Sequence, residues 1–328
     1  MKKSFSAVTA LVLASVMVLS GCGSSSSSAD SSAAESVTLT YGTGGTTGTY
    51  YPYGGTMATV LNDKMDIVDL TVTSTGASKA NILDVEDGIS QLAIVQNDVM
   101  YYAYNGTDLF AEDGEFTSFT AVASLYEETC QIIAAPGISS IEDLKGKTVN
   151  VGDAGSGVEF NATQILAAYG IDINSDINKV NGSFSDAADG IKDGKIDAAF
   201  VTAGAPTTAI VDLAISKDVV LLEVDDAHAA TLMADYPFYV QTVIPGGTYN
   251  GISEDAQTVS VNATLIASND VSTEAIYELT KAMFENQADL AASNDKFSVL
   301  SVESAVQGIP TPFHPGAEQY YKEVGAID

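Results

Sequence analysis

Two glycine-rich segments carry the groups best suited to holding a ligand. The first is Tyr41-Gly-Thr-Gly-Gly-Thr-Thr-Gly-Thr-Tyr-Tyr-Pro-Tyr-Gly-Gly55. It follows a strand-like run over residues 37–40 and leads into a helical pattern from Pro52, with Met57, Val60 and Leu61 on one face. A glycine-rich turn at such a junction leaves N–H groups free ahead of a helix N-terminus, an arrangement that holds an anion or another hydrogen-bond acceptor. Hydroxyls at Thr43, Thr46, Thr47 and Thr49, with the rings of Tyr50, Tyr51 and Tyr53, would complete a polar pocket. Glycine content alone supports a flexible surface turn equally well. The second segment, Gly152-Asp-Ala-Gly-Ser-Gly157, lies between a short strand pattern over residues 148–151 and a helix. That helix places Val158, Ala162, Ile165, Leu166 and Tyr169 on one side, and Gly170 stands at its end as a left-handed terminator.

The spacing fits dinucleotide binding poorly. Gly42, Gly44, Gly45 and Gly48 do not give the dinucleotide fingerprint, no acidic residue stands about twenty positions on, and no Walker lysine follows. No cofactor is expected. Catalytic material is thin: His228 sits in an alanine-rich helical stretch and His314 in a Phe-His-Pro turn. The carboxylates form no recognisable pair, and no metal-ligand spacing occurs. Cys130 lies in an apolar run and reads as a small core residue.

Positioning these loops requires alternating strands and helices, the signature of an α/β protein. Residues 68–74 and 92–95 read as strands and 76–86 as a helix. Ser139-Ser-Ile-Glu142 reads as a capping box for a short helix. The strand–glycine loop–helix unit occurs twice. A second pair repeats at nearly the same offset: Asp87-Gly-Ile-Ser-Gln-Leu-Ala-Ile-Val-Gln96 is echoed by Asp193-Gly-Lys-Ile-Asp-Ala-Ala-Phe-Val-Thr202. Each buried strand ends on a polar residue able to face a cleft, followed by Asn97-Asp98 in one case and the 203–207 segment in the other. The apolar run 121–135 and the alternating run 258–267 would cross between two lobes, and 273–292 reads as one amphipathic helix. Two crossings permit a hinge, with a ligand between the lobes favouring closure.

The chain has 13 lysines and arginines against 43 acidic residues, a formal charge of −30. Such a balance argues against nucleic acid and against a membrane-surface role for the folded body. All 13 cations are lysines, so a carboxylate ligand must be held without a guanidinium clamp. At the N-terminus, Lys2 and Lys3 precede an apolar run over residues 7–19. That run is too short to span a bilayer and has the layout of an export signal. Leu19-Ser-Gly-Cys22 resembles a bacterial lipobox, which implies cleavage after residue 21 and lipidation of Cys22. The Ser-rich stretch 22–36 then reads as a tether.

These residues together resemble the TAXI class of solute receptors for tripartite, ATP-independent periplasmic (TRAP) transporters. The resemblance runs from about Val37 to the end. It rests on the 43–55 loop, Gln96-Asn-Asp-Val99, Asp143-Leu-Lys-Gly-Lys-Thr-Val149, Gly155-Ser-Gly157 and the tail His314-Pro-Gly-Ala-Glu-Gln-Tyr-Tyr-Lys-Glu-Val-Gly325. It implies a two-lobed periplasmic binding protein fold, type II-like. Each lobe would be a mixed sheet flanked by helices, with 37–128 plus 262–328 as lobe 1 and 129–261 as lobe 2. It also implies a monomeric receptor, lipid-anchored outside the cytoplasmic membrane. Such a receptor captures glutamate, glutamine or a related carboxylate and passes it to the membrane subunits of an ion-driven permease. Carried over by position, Gly44, Gly45, Thr46, Thr47 and Tyr50 would line the cleft from lobe 1, with Ser74, Thr75, Gln96 and Asp98. Ser156, Gly157, Asn161, Gly204 and Thr207 would face them from lobe 2. A ligand ammonium or amide would meet Asp98, Gln96 or Glu127. Thr47 stands where a glycine is common, and Val158 replaces the usual threonine after Gly-Ser-Gly, so no single substrate carries over. An ATP-driven importer or a sensor would use the same fold, and an enzyme or an adhesin is the more distant alternative.

Overall fold

The computed structural model describes residues 36–328. The expected export signal, the lipidated Cys22 and all but the last residue of the tether lie outside the described residues.

Ten strands form one mixed sheet. They are β1 (Val37–Gly42), β2 (Val68–Thr73), β3 (Leu92–Gln96), β4 (Phe119–Ala134), β5 (Thr148–Asn150), β6 (Asn178–Val180), β7 (Ala198–Ala203), β8 (Val220–Leu222), β9 (Val240–Ile244) and β10 (Ala256–Ser268). The helices are α1 (Tyr50–Leu61), α2 (Ser78–Glu86), α3 (Asn97–Asn105), α4 (Gly157–Ala168), α5 (Phe184–Lys192), α6 (Thr208–Ser216), α7 (Asp226–Asp235), α8 (Thr273–Glu285), α9 (Gln287–Ser293), α10 (Val302–Ala305) and α11 (Pro315–Glu323). The strand order is β2-β1-β3-β10-β4-β7-β5-β6, with β8 joined to β4 and β9 to β10.

The two long strands unify the sheet. Residues 119–126 of β4 pair with the C-terminal part of β10, while its later residues 129–134 pair with β7 and 132–134 also with β8. β10 pairs in turn with β9 through residues 256–260 and with β3 through 263–267. Both are buried along nearly their whole length because both faces are covered. Register shifts interrupt their ladder between Ala263 and Thr264 and between Leu265 and Ile266. Such irregularities bend a strand and increase its twist.

Around these strands the apolar side chains collect on either side of the crossing. Two clusters draw their buried members from residues 39–126 and 263–321, among them Leu39, Tyr53, Met57, Ile94, Leu279 and Tyr321. Two others draw theirs from 130–261, among them Ile132, Val149, Ile165, Phe200, Leu213 and Leu232.

Local chemistry explains several boundaries. Gly170 adopts φ +66°, its N–H bonds the Ala167 carbonyl and the Ile171 N–H bonds that of Leu166, which closes α4 as expected. Three expectations need correction. The 273–292 helix is two helices, because the Asn286 side-chain amide takes the Ala282 carbonyl and its backbone leaves helical geometry. The expected capping box at Ser139 uses Asp143 rather than Glu142. The Asp143 carboxylate accepts from the Ser139 and Ser140 N–H groups, and a single 3₁₀ turn over Glu142–Leu144 results. α2 starts at Ser78, two residues later than its pattern suggests, because the Thr75 hydroxyl takes the Ala77 N–H in a turn.

Candidate functional site

Both glycine-rich loops open onto one cavity between the two sides of the sheet. Its walls include Gly44, Gly45, Thr47, Gly48, Thr49 and Tyr50 from the first loop and Asp153, Ser156, Gly157 and Val158 from the second. Ala77, Ser78, Gln96, Glu128, Ser183, Phe184, Thr202 and Ala203 complete it.

The starts of α1, α2, α3, α4 and α5 therefore all reach this cavity. The first N–H groups of a helix have no partner inside it and carry partial positive charge. At α4 the Ser156 hydroxyl accepts the Glu159 N–H and the Ser156 carbonyl accepts that of Phe160, so the Gly157 and Val158 N–H groups remain for a ligand. The loop before α4 requires glycine: Gly152 has φ +87°, and a Cβ there would stand 2.7 Å from that of Val158. At Gly157 a Cβ would fall 1.3 Å from Gln96 Oε1 across the cleft. The Gln96 side chain can take its position only because residue 157 has no side chain.

Several expected site residues brace the cavity instead of lining it. Thr46 is exposed. Ser74 Oγ donates to the Gly44 carbonyl at 2.9 Å, and Thr75 Oγ1 donates to the Thr43 carbonyl at 2.9 Å, holding the first loop from behind. Gly204 and Thr207 form a second brace. Thr49 Oγ1 donates to the Gly204 carbonyl at 3.2 Å, and Thr207 Oγ1 donates to the same oxygen while accepting from Gln131.

Asp98 and Asn161 meet, but inside the contact between the walls. Gln96 Nε2 donates to Asn161 Oδ1 at 2.7 Å, and Asn161 Nδ2 donates to Asp98 Oδ2 at 3.1 Å and to the Tyr239 hydroxyl at 2.8 Å. Tyr239 donates onward to Gln164, whose amide reaches Tyr102. Burial pushes Asp98 up to about 6, against the opposing N–H of Val99 and amide of Asn161. Of this network only Gln96 borders the cavity. Glu127 lies elsewhere, in a broad groove with Lys296, Tyr126 and Asn262.

Sequence reasoning missed Ser78, Asp153, Ser183, Phe184 and Glu128 among the lining residues, and of these Glu128 is the most buried acid. It is 2% exposed, borders the cavity and accepts a hydrogen bond from the Tyr50 hydroxyl at 2.7 Å. Burial holds its carboxyl well above the usual range, with the Tyr50 bond opposing. Alternation along β4 places neighbouring residues on opposite faces, so Glu127 and Glu128 had to divide between groove and cavity. The pair was visible in the sequence; which one faces inward was not. Among the described residues no lysine lines the cavity. Cys130 is buried, with its thiol pushed up to about 12 by burial, and so is unreactive. His314 caps α11 through its side chain and is structural.

Among solved structures, a protein of Bordetella bronchiseptica RB50 is similar at 15% identity and a TM-score of 0.53, covering 89% of this chain and 89% of that one. A structure described as a periplasmic transporter is similar at 14% identity and a TM-score of 0.52, covering 88% of this chain and 92% of that one. The alkanesulfonate-binding protein SsuA of Xanthomonas axonopodis pv. citri, bound to MOPS, is more distant at 15% identity and 0.47, covering 88% and 85%. The architecture is the periplasmic binding protein fold, a mixed sheet flanked by helices. The model of the NMT1-like family matches residues 41–325.

Proposed function

The chain belongs to the NMT1-like family, and from that premise we propose that it is an extracytoplasmic solute receptor that takes a small organic carboxylate into the cavity between its lobes. The observation that carries this reading is the convergence of five helix N-termini on one cavity that, among the described residues, no lysine lines. Each terminus stabilises an anion by about 0.3–2 kcal/mol. Their sum takes the place of the guanidinium that the chain lacks. Among the described residues no histidine or cysteine lines the cavity, which favours capture over catalysis.

The finer points rest on the TAXI resemblance. In this reading the lobes are 37–128 with 262–328, and 129–261, hinged where β4 and β10 cross. The solute is glutamate, glutamine or a related carboxylate. The receptor is a monomer held at the outer face of the cytoplasmic membrane by lipid on Cys22, and it hands the solute to a TRAP-type permease driven by an ion gradient.

Thermal unfolding of the mature chain against a panel of amino acids and carboxylates tests capture. A ligand present at 100 times its Kd adds about 2.7 kcal/mol of stability. A panel in which no compound raises the Tm overturns the reading. Uptake by cells expressing receptor and permease tests the coupling. Loss on collapse of the ion gradient supports the TRAP assignment, and loss only on ATP depletion replaces it with an ATP-driven importer.

A further inference from the structure

The cavity has an acidic pole that anion binding leaves unused. Glu128 is nine-tenths buried by a wide margin, and among the described residues its only hydrogen bond is the one to Oε2 from Tyr50. Among the described residues Oε1 has no protein partner and no ion pair involves Glu128. Asp153, on the second loop, is another carboxylate that lines the cavity. A buried carboxyl with one neutral donor favours its protonated form, and a cation or further donors draw it to the carboxylate. Tyr50, the first residue of α1, fixes the Glu128 side chain beside one of the helix N-termini. The cavity is therefore dipolar: N–H groups suited to an anion lie on several walls and a carboxylate lies on another.

We propose that Glu128, oriented by Tyr50, is the specificity-determining residue for a protonated nitrogen on the solute, so that the receptor selects amino-bearing carboxylates over carboxylates that lack the nitrogen. This deepens the receptor reading and rests on it. On docking, the ammonium donates to Oε1 while the carboxylate of the same molecule accepts from the helix N-termini. A plain dicarboxylate leaves Oε1 unpaired and brings a further negative charge toward Glu128 and Asp153. The titratable groups facing Glu128 are Tyr50 on α1 and Tyr126 and Cys130 on β4, with Asp98 on α3 more distant. None of these supplies a positive charge to the site.

The test is titration calorimetry on the mature chain with the protein amino acids and, for each that binds, the same molecule lacking its α-ammonium group. Wild type is expected to bind at least one amino acid and to bind its deaminated counterpart at least about tenfold more weakly. Glu128→Gln is expected to weaken the amino acid by about tenfold or more and the counterpart by less than about threefold, so that discrimination disappears. Tyr50→Phe should act in the same direction with a smaller loss, and it decides the question if Glu128→Gln does not fold. Discrimination that survives in the variants overturns the proposal. So does a wild type that binds deaminated acids as tightly as amino acids, an outcome that leaves the receptor reading standing. A wild type that binds neither class removes both.

Discussion

Replacing Gly157 by alanine tests whether binding depends on the close meeting of the two walls. The new Cβ would stand 1.3 Å from Gln96 Oε1, 2.5 Å from its Cδ and 3.1 Å from Val99 Cγ2. Gln96 is 3% exposed and must abandon its 2.7 Å bond to Asn161 to make room. Asn161 Oδ1 is then left buried without its donor, at a cost of about 1–3 kcal/mol. Alanine at a helix start recovers a fraction of that through propensity. The expected result is a Kd roughly tenfold weaker, within limits of about 5-fold and 150-fold set by the bond energy. Titration calorimetry with the tightest ligand measures it, and solution scattering reads the ligand-induced compaction, which should shrink. A double-mutant cycle isolates the cause: in a Gln96→Ala background the Gly157→Ala change should cost little more. A Gly157→Ala protein that binds within twofold of wild type refutes the reasoning. A full additional loss in the Gln96→Ala background refutes the assignment to that contact.

The remaining predictions concern the body of the fold. Burial holds Asp98 at about 6 in the folded chain, against about 3.9 when unfolded. The folded state then retains a proton that the unfolded state has lost, so this contribution is fully present below pH 4 and disappears as pH rises through 6, by about 3 kcal/mol. The stability of wild type relative to Asp98→Asn, from urea unfolding, should fall by that order between pH 4 and 7.5, and a flat difference would contradict the burial argument. Gly316→Ala at the start of α11 should lower stability by about 1–3 kcal/mol. Its Cβ would meet the Thr273 carbonyl oxygen at 2.3 Å and the Tyr277 nitrogen at 2.6 Å, both backbone atoms of α8. A urea midpoint unchanged from wild type would show that the two helices separate freely.

Much of the scaffold was legible because its signals are local. β4 announces itself as a long apolar run, β10 as an alternating one, and the two loops as glycine clusters that end strands and begin helices. Gly170 terminates α4 by a conformation that few other residues adopt. What escaped depends on contacts distant in sequence. The choice between Glu127 and Glu128 is one of strand register, set by β10 and β7 pairing and not by their shared chemistry. Asp98 and Asn161 were both singled out, but their meeting each other inside the wall contact depends on how α3 packs against α4. Ser74 and Thr75 carry hydroxyls suited to a ligand, yet their nearest acceptors are the carbonyls of the loop they support. The break at Asn286 is subtler still, since the apolar period continues through it.

The central claim is that a small carboxylate sits between the lobes on helix N-termini. A crystal structure of the mature chain with its tightest ligand tests this most directly. The account predicts carboxylate oxygens within hydrogen-bond distance of the Gly157 or Val158 N–H, or of the first loop around Gly44. A ligand found in the groove beside Lys296, or bound with no contact to either glycine-rich loop, would contradict it.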